Sequence, residues 1–169
     1  MNIDDLTYIK NEEDLVYLHT KLFPVNIRLL KSSIIYKQLI LQCCKMISDY
    51  ALTTLEGYSK PFGMSGANLA IPFNIIGIVM NRGKDNEFVD ILLNPEIIRT
   101  GKYKIPTKSN CGSIRLESSI NISRWQYITV KWYDLSGTIH VRQFSPQQGS
   151  FTIQHEIDHN NGILITDRK

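Results

Sequence analysis

The stretch Gln154-His155-Glu156-Ile157-Asp158-His159 sets two imidazoles four residues apart, with a carboxylate beside the first. On an α-helix those imidazoles lie on one face, one turn apart, at a separation suited to two ligands of one metal ion. The flanking residues Phe151, Ile153, Ile157, Ile163, Leu164 and Ile165 are apolar, so the helix, expected from Ser150 to Asn161 and stopped by Gly162, is expected to be buried. A buried turn bearing His, Glu, Asp and His needs partners for its polar groups, and a metal ion is the simplest one. Glu156 can reach the open position of such a metal, where a water would sit, and that set generates hydroxide at neutral pH. The chain therefore reads as a metal-dependent hydrolase. The competing reading is an exposed polar helix turn, and the apolar flanks weigh against it.

Two histidines need a third protein ligand. The best-defined metalloprotease pattern, H-E-x-x-H-x-x-G-x-x-H, places it downstream; here Gly162 falls at the glycine position, but Ile165 takes the last one. Ten residues follow His159, none of them His or Glu, and Asp167 stands in a polar tail, so the third ligand is expected upstream. His19, His140 and Cys111 are the candidates. The two histidines read as ordinary surface or hairpin residues. Cys111 is the better candidate, because a divalent cation stabilises a thiolate and the Gly/Ser neighbours in Ser109-Asn110-Cys111-Gly112-Ser113 allow close backbone approach. The other cysteines, Cys43 and Cys44, are adjacent in a helical pattern and read as small packing residues. An odd count of three without a framework points to reduced thiols and a reducing compartment.

The rest of the chain bounds the class. Its 169 residues suffice for one domain with one substantial core, and 43% hydrophobic with 21% charged residues fits a globular protein. A net charge of +3, with acids and bases interspersed, does not suggest a nucleic-acid binder. No apolar run reaches the length of a membrane span. The acidic start, Met1-Asn2-Ile3-Asp4-Asp5, is unlike a secretory signal or a transit peptide, so a cytoplasmic location is expected.

Apolar residues at Tyr36, Ile40, Cys43, Ile47, Ala51 and Leu55 predict one helix from Lys31 to Glu56, ended by Gly57. Residues 57–66 read as a loop. Strands are expected at Ile75–Met80 and at Phe88–Leu93, the second closed by Asn94-Pro95. Residues 101–112 read as a basic, turn-forming stretch. Tyr127–Tyr133 and Thr138–Phe144 read as a hairpin around Asp134–Gly137. The order of helix, strands and helix argues for an α+β domain.

A Cys-His-His set with its Cys upstream and H-E-x-x-H on the last helix resembles the peptide deformylases. That family carries G-x-G-x-A-A-x-Q, then E-G-C-x-S, then Q-H-E-x-D-H. The third signature is intact from Gln154 to His159, and Asn161-Gly162-Ile163-Leu164 with Asp167-Arg168 is similar to its continuation. The second appears as Ser109-Asn110-Cys111-Gly112-Ser113, with Ser109 in place of Glu and Asn110 in place of Gly. The first appears as Gly66-Ala67-Asn68-Leu69-Ala70-Ile71-Pro72-Phe73, with Asn68, Ile71 and Phe73 replacing Gly, Ala and Gln. Leu93-Asn94-Pro95-Glu96-Ile97 and Ile122-Ser123-Arg124 also look like family segments. The resemblance covers residues 66–168 and before them only the long helix corresponds.

The resemblance implies antiparallel sheets around a C-terminal metal-binding helix, and release of formate from formyl-methionyl peptides. It implies that Cys111, His155 and His159 hold one divalent ion: iron in the cell, with zinc, nickel or cobalt as replacements. Glu156 would take the attacking water's proton and pass it to the leaving amine, and the backbone N–H of Gly112 would stabilise the oxyanion. The substrate side would be formed by Gly66, Ala67, Leu69, Phe73, Phe151 and Thr152. The implied partners are a formyl-methionyl nascent peptide and the ribosome, with no nucleic acid bound directly, no membrane, and a monomeric state.

Phe73 cannot supply the hydrogen bond that the family's glutamine gives the oxyanion. Losing one such donor costs roughly a hundred- to a thousand-fold, so a slow enzyme is expected unless Asn68 or Asn74 substitutes. Without the family's Glu at position 109, Arg124 must find another carboxylate or face solvent. The second reading is a degenerate relative that keeps its metal and acts as a binding module for nascent N-termini or ribosomes. Glu156 favours the enzyme, because a structural site gains nothing from a general base.

Overall fold

The computed structural model describes residues 12–52, 63–81, 83–114 and 119–168. The elements in chain order are α1 (Glu12–Leu18), α2 (Ile27–Ser32), α3 (Ile34–Leu52), β1 (Gly63–Ser65), β2 (Ile75–Met80), β3 (Phe88–Thr100), β4 (Lys104–Ser109), β5 (Ile120–Trp125), β6 (Ile128–Tyr133), β7 (Ile139–Phe144) and α4 (Ser150–Asn160). A short 3-10 turn, Gly66–Leu69, follows β1. The architecture is α+β, as expected. A five-stranded antiparallel sheet runs β1-β2-β3-β6-β7, and β4 pairs with β5 in a separate two-stranded sheet.

The single helix expected from Lys31 to Glu56 is two. Ser33 is extended (φ −117°, ψ 115°) and breaks it. Its N–H still closes α2 onto Leu29 O, while its hydroxyl accepts from Tyr36 N–H at 3.3 Å and so starts α3. A serine that can bond nearby backbone stops one helix and caps the next. The expected stop at Gly57 lies outside the described residues. Along α3 the predicted inward positions Ile40, Cys43, Ile47 and Ala51 are buried, and Cys43 and Cys44 pack in that core as free thiols.

Asn94-Pro95 does not end β3. The register passes from Leu93↔Tyr133 to Glu96↔Lys131, so β3 carries one extra residue there. This bulge accommodates Asn94 at φ +51° and Pro95, which has no N–H to give a ladder. Asn94 is tied down by two bonds to the backbone of Val25, from Val25 N at 2.7 Å and to Val25 O at 2.8 Å. The basic stretch also departs from expectation, because Lys104–Ser109 forms β4 by pairing with Asn121, Ile122 and their neighbours. The β6–β7 hairpin forms as predicted around Asp134, which accepts from Ser136 and Thr138 backbone N–H groups.

Two apolar clusters flank the main sheet. One joins α3 to β1, β2 and β3; the other buries Ile153 and Ile157 of α4 against Ile76, Ile78, Leu92, Ile128 and Val130. The second fixes α4 across the sheet, and with it the residues that could hold a metal. Among the described residues, no helix is long and apolar enough to cross a membrane.

Candidate metal centre

Helix α4 is positioned by its own polar residues. The Gln154 amide accepts from Trp125 N–H at 3.0 Å and donates to Trp125 O at 2.8 Å, clamping the helix to the β5–β6 turn. Asn160 donates to Asn74 Oδ1 at 2.9 Å and to Ile75 O at 3.1 Å, holding the other end to the start of β2. Gly162 sits at φ +71°, and a Cβ there would lie 2.3 Å from His19 O, so the turn after α4 requires glycine.

On the face so held, His155 and His159 bring their Nε2 atoms to 3.2 Å, and Cys111 Sγ lies 3.1 Å from His159 Nε2. The three ligand atoms all lie within 4.8 Å of one another. Tetrahedral ligation, with bonds of roughly 2.0–2.1 Å to nitrogen and 2.3 Å to sulfur, would place N and N about 3.3 Å apart and S and N about 3.6 Å apart. The observed contacts differ from that by about 0.1 to 0.5 Å. The three residues thus form a group that could hold a divalent ion.

The chemistry of this set fits a cation. Burial holds His159 down to about 4 and His155 well below the ordinary imidazole range, so both rings are neutral and able to ligate. Burial pushes the Cys111 thiol up to about 11, so it needs a nearby positive charge to ionise. Two neutral imidazole nitrogens and a thiolate converge on one point. A metal ion satisfies all three.

Glu156 is 4% exposed, and one of its oxygens, Oε2, has no hydrogen-bond partner among the described residues. Burial raises its carboxyl to about 8, against opposing pulls from Arg124 and the neighbouring Ser65. A water in the site would supply the missing donor. A carboxyl tuned towards neutrality also suits proton transfer at physiological pH.

Arg124, 4% exposed, replaces the carboxylate missing at Ser109 with Asp158, at 2.9 Å from Nη1 to Oδ2. Arg168 bonds both oxygens of the same carboxylate, through Nε at 3.2 Å and through Nη2. The motif's aspartate therefore anchors two arginines beside the histidines. Gln154, Arg124 and Asp158 all position the centre. The sequence marks Gln154 and Asp158 only as members of a buried motif helix and Arg124 only as a side chain in need of a carboxylate; the pairing itself is a finding of the structure.

The remaining predicted residues divide by location. Gly112 follows Cys111 directly, with open space around its Cα. Gly66 is crowded, since a Cβ there would lie 2.5 Å from Phe73 O. Phe151 and Thr152 are half-buried on α4, and Thr152 packs against Gly63 of β1. Ala67 packs with Leu18, Leu22 and Leu164, while Leu69 joins the α3 core. Phe73 also turns to the α3 side, edge-on to Tyr36 with ring centroids 6.1 Å apart, while its neighbour Asn74 faces α4 through Asn160. Both amides proposed as substitutes are already engaged, Asn68 with Ser65 and Ser113, Asn74 with Asn160. His19 bonds Gly162 O at 3.1 Å, and His140 stacks on Trp132 and meets Asp134 at 2.8 Å; neither joins the Cys-His-His group.

Comparison with known proteins places this geometry in a family context. Residues 29–169 match the family described as polypeptide deformylase. The peptide deformylase of Nitrobacter hamburgensis is 32% identical over 117 residues, 65% of this chain and 65% of that protein. That of Afipia carboxidovorans is 29% identical over 113 residues, 65% of this chain and 64% of that one. A third, from Chloroflexus aggregans, is 35% identical over 78 residues, 46% of this chain and 41% of its own length. The match thus spans less than two thirds of these curated relatives. In fold, the chain is similar to the Met-Ala-Ser-bound class I type b peptide deformylase of Acinetobacter baumannii, with TM-score 0.75 and 20% identity over 97% of this chain and 96% of that one. A probable peptide deformylase from Synechococcus phage S-SSM7 gives 0.72 and 19%, over 97% and 98%.

Proposed function

This chain belongs to the polypeptide deformylase family, and we propose that the whole chain acts as one metal-dependent hydrolase domain that removes the N-terminal formyl group of formyl-methionyl peptides as formate. The observation that carries the proposal is the convergence of Cys111 Sγ, His155 Nε2 and His159 Nε2 beside the buried, half-unpartnered carboxyl of Glu156.

Cys111, His155 and His159 would hold the ion, and a bound divalent cation would supply Lewis acidity to the reacting groups. Glu156 takes a proton from the attacking water and delivers it to the amine nitrogen that leaves. The backbone N–H of Gly112 donates to the developing oxyanion. Arg124 and Asp158 keep the histidine face of α4 in place. Phe151 and Thr152 border the methionine side chain beside His155. Gly66, Ala67, Leu69 and Phe73 shape that wall from behind by packing. Because the side chain at position 73 faces α3 and Asn68 and Asn74 are engaged elsewhere, no side-chain amide reaches the oxyanion, and turnover is about a hundred- to a thousand-fold below that of a site with two oxyanion donors. Iron is the ion in the cell, the reaction takes place in the cytoplasm, and the chain acts as a monomer on nascent peptides at the ribosome.

The test is formate release from formyl-Met-Ala-Ser under anaerobic conditions with ferrous iron or nickel. Slow, metal-dependent release is expected. Binding of the peptide without any formate would instead favour the degenerate binding module.

A further inference from the structure

Within the 3-10 turn Gly66–Leu69, the side chain of Asn68 reaches the Cys111 loop. Its Oδ1 accepts from both the backbone N–H and the hydroxyl of Ser65, each at 2.7 Å, and its Nδ2 donates to the Ser113 hydroxyl at 2.8 Å. Both serines are buried, at 0% and 1% exposed. Ser65 lies beside the Glu156 carboxyl and Ser113 beside the Cys111 thiol, and each serine pulls its neighbour's pKa down against the effect of burial. Asn68 thus stands between the partner of the carboxylate and the partner of the thiol.

A serine hydroxyl has one proton and can also accept. Because Ser113 Oγ accepts from Asn68 Nδ2, its own proton is free for another acceptor, and the Cys111 sulfur lies beside it. Aspartate at this position would reverse the direction, since it would require the Ser113 proton for itself. Glycine, which stands in the family signature at this place, would remove the bridge altogether.

We propose that Asn68 is a positioning residue for the metal group, its amide locking the Cys111 loop to Ser65 and directing the Ser113 hydroxyl proton onto the Cys111 sulfur. The proposal rests on Cys111 being a ligand, as proposed above. Groups that orient or bond a metal ligand typically change metal affinity by about 10- to 100-fold when removed.

The experiment uses cobalt(II) as probe, with full-length wild type, Asn68→Asp, Asn68→Gly, Ser113→Ala and the Asn68→Asp/Ser113→Ala double variant. The thiolate-to-cobalt absorption band and the cobalt dissociation constant are read, and circular dichroism melts confirm folding. Losing a hydrogen bond to sulfur raises the energy of its electrons, so Asn68→Asp and Ser113→Ala should move the band to longer wavelength. They should also weaken cobalt binding by about 10- to 100-fold. The double variant should be no worse than Ser113→Ala, whose result stands even if an Asn68 variant fails to fold. A band and affinity unchanged in Asn68→Asp, or unchanged in Ser113→Ala, overturns the proposal while leaving the metal centre intact. Absence of the band in wild type overturns Cys111 as a ligand, and this proposal with it.

Discussion

Replacing Arg124 with Met tests the frame on which the histidines are mounted. Arg124 and Asp158 form an ion pair 2.9 Å long, with side chains only 4% and 8% exposed. Removing one member of a buried pair costs about 3–5 kcal/mol, because the other charge stays buried and unmatched. Here Arg168 also reaches Asp158, from a side chain 44% exposed. It neutralises part of the stranded charge, so the lower end, about 3 kcal/mol, is expected for Arg124→Met. At about 2–4 °C per kcal/mol for a chain of this size, the midpoint should fall by about 6–12 °C. Arg168→Ala, breaking the more exposed contact, should cost about 1 kcal/mol or less. Arg124→Met/Asp158→Leu should recover most of the loss, since no charge is left buried. Urea unfolding of chelator-treated protein at pH 7 reads all three. A loss below about 0.5 kcal/mol for Arg124→Met, in the range of ordinary surface substitutions, would refute the reasoning. So would a double variant whose losses simply add.

Zinc binding to Glu156→Gln near pH 7 should release about one proton, because the Cys111 thiol is held up at about 11 and both histidines are already neutral. Affinity should then fall about tenfold for each pH unit lowered between pH 10 and 6; titration calorimetry in buffers of different ionisation enthalpy counts the proton, and zero would remove Cys111 from the set. Phe73→Gln should cost about 1–3 kcal/mol through the lost Tyr36 contact and core packing. It should leave turnover within about threefold, and a gain of about a hundredfold would show instead that an amide there reaches the oxyanion. Asp134→Ala should loosen the β6–β7 turn by about 1 kcal/mol at pH 7. Hydrogen bonds from Ser136, His140 and Thr138 depress the Asp134 carboxyl, so its stabilisation is full above the ordinary value near about 3.9 and fades as pH falls below it. Wild type and variant melts should therefore converge in acid, and a constant gap would contradict the assignment.

The motif helix was legible because two features agreed, the i,i+4 histidines and the apolar residues Ile153 and Ile157 that seat it on the sheet. The strand from Ile75 to Met80 and the hairpin around Asp134 were legible for the same reason, since β-branched runs ended at strong turn residues. Ser33 hid the break between α2 and α3, because serine caps a helix as readily as it rides in one and the apolar spacing continues across it. Asn94-Pro95 looked like a stop, but a bulge absorbs both residues when the side chain finds a backbone 69 positions away. Lys104–Ser109 has little strand character, and tertiary pairing with β5 overrides that. At the centre, the ligands are marked by residue type, whereas Gln154, Arg124 and Asp158 act through contacts distant in sequence. Phe73 shows the converse: the signature names the position, but only packing reveals that its ring faces α3.

The most direct test compares formate release from formyl-Met-Ala-Ser by wild type and Glu156→Gln, each loaded with one nickel ion per chain. Wild type should turn over, and the variant should be slower by about 10²- to 10⁴-fold, the usual contribution of a positioned proton-transfer group, with its nickel retained. Equal rates in the two proteins, or no formate from either while nickel stays bound, would contradict the account.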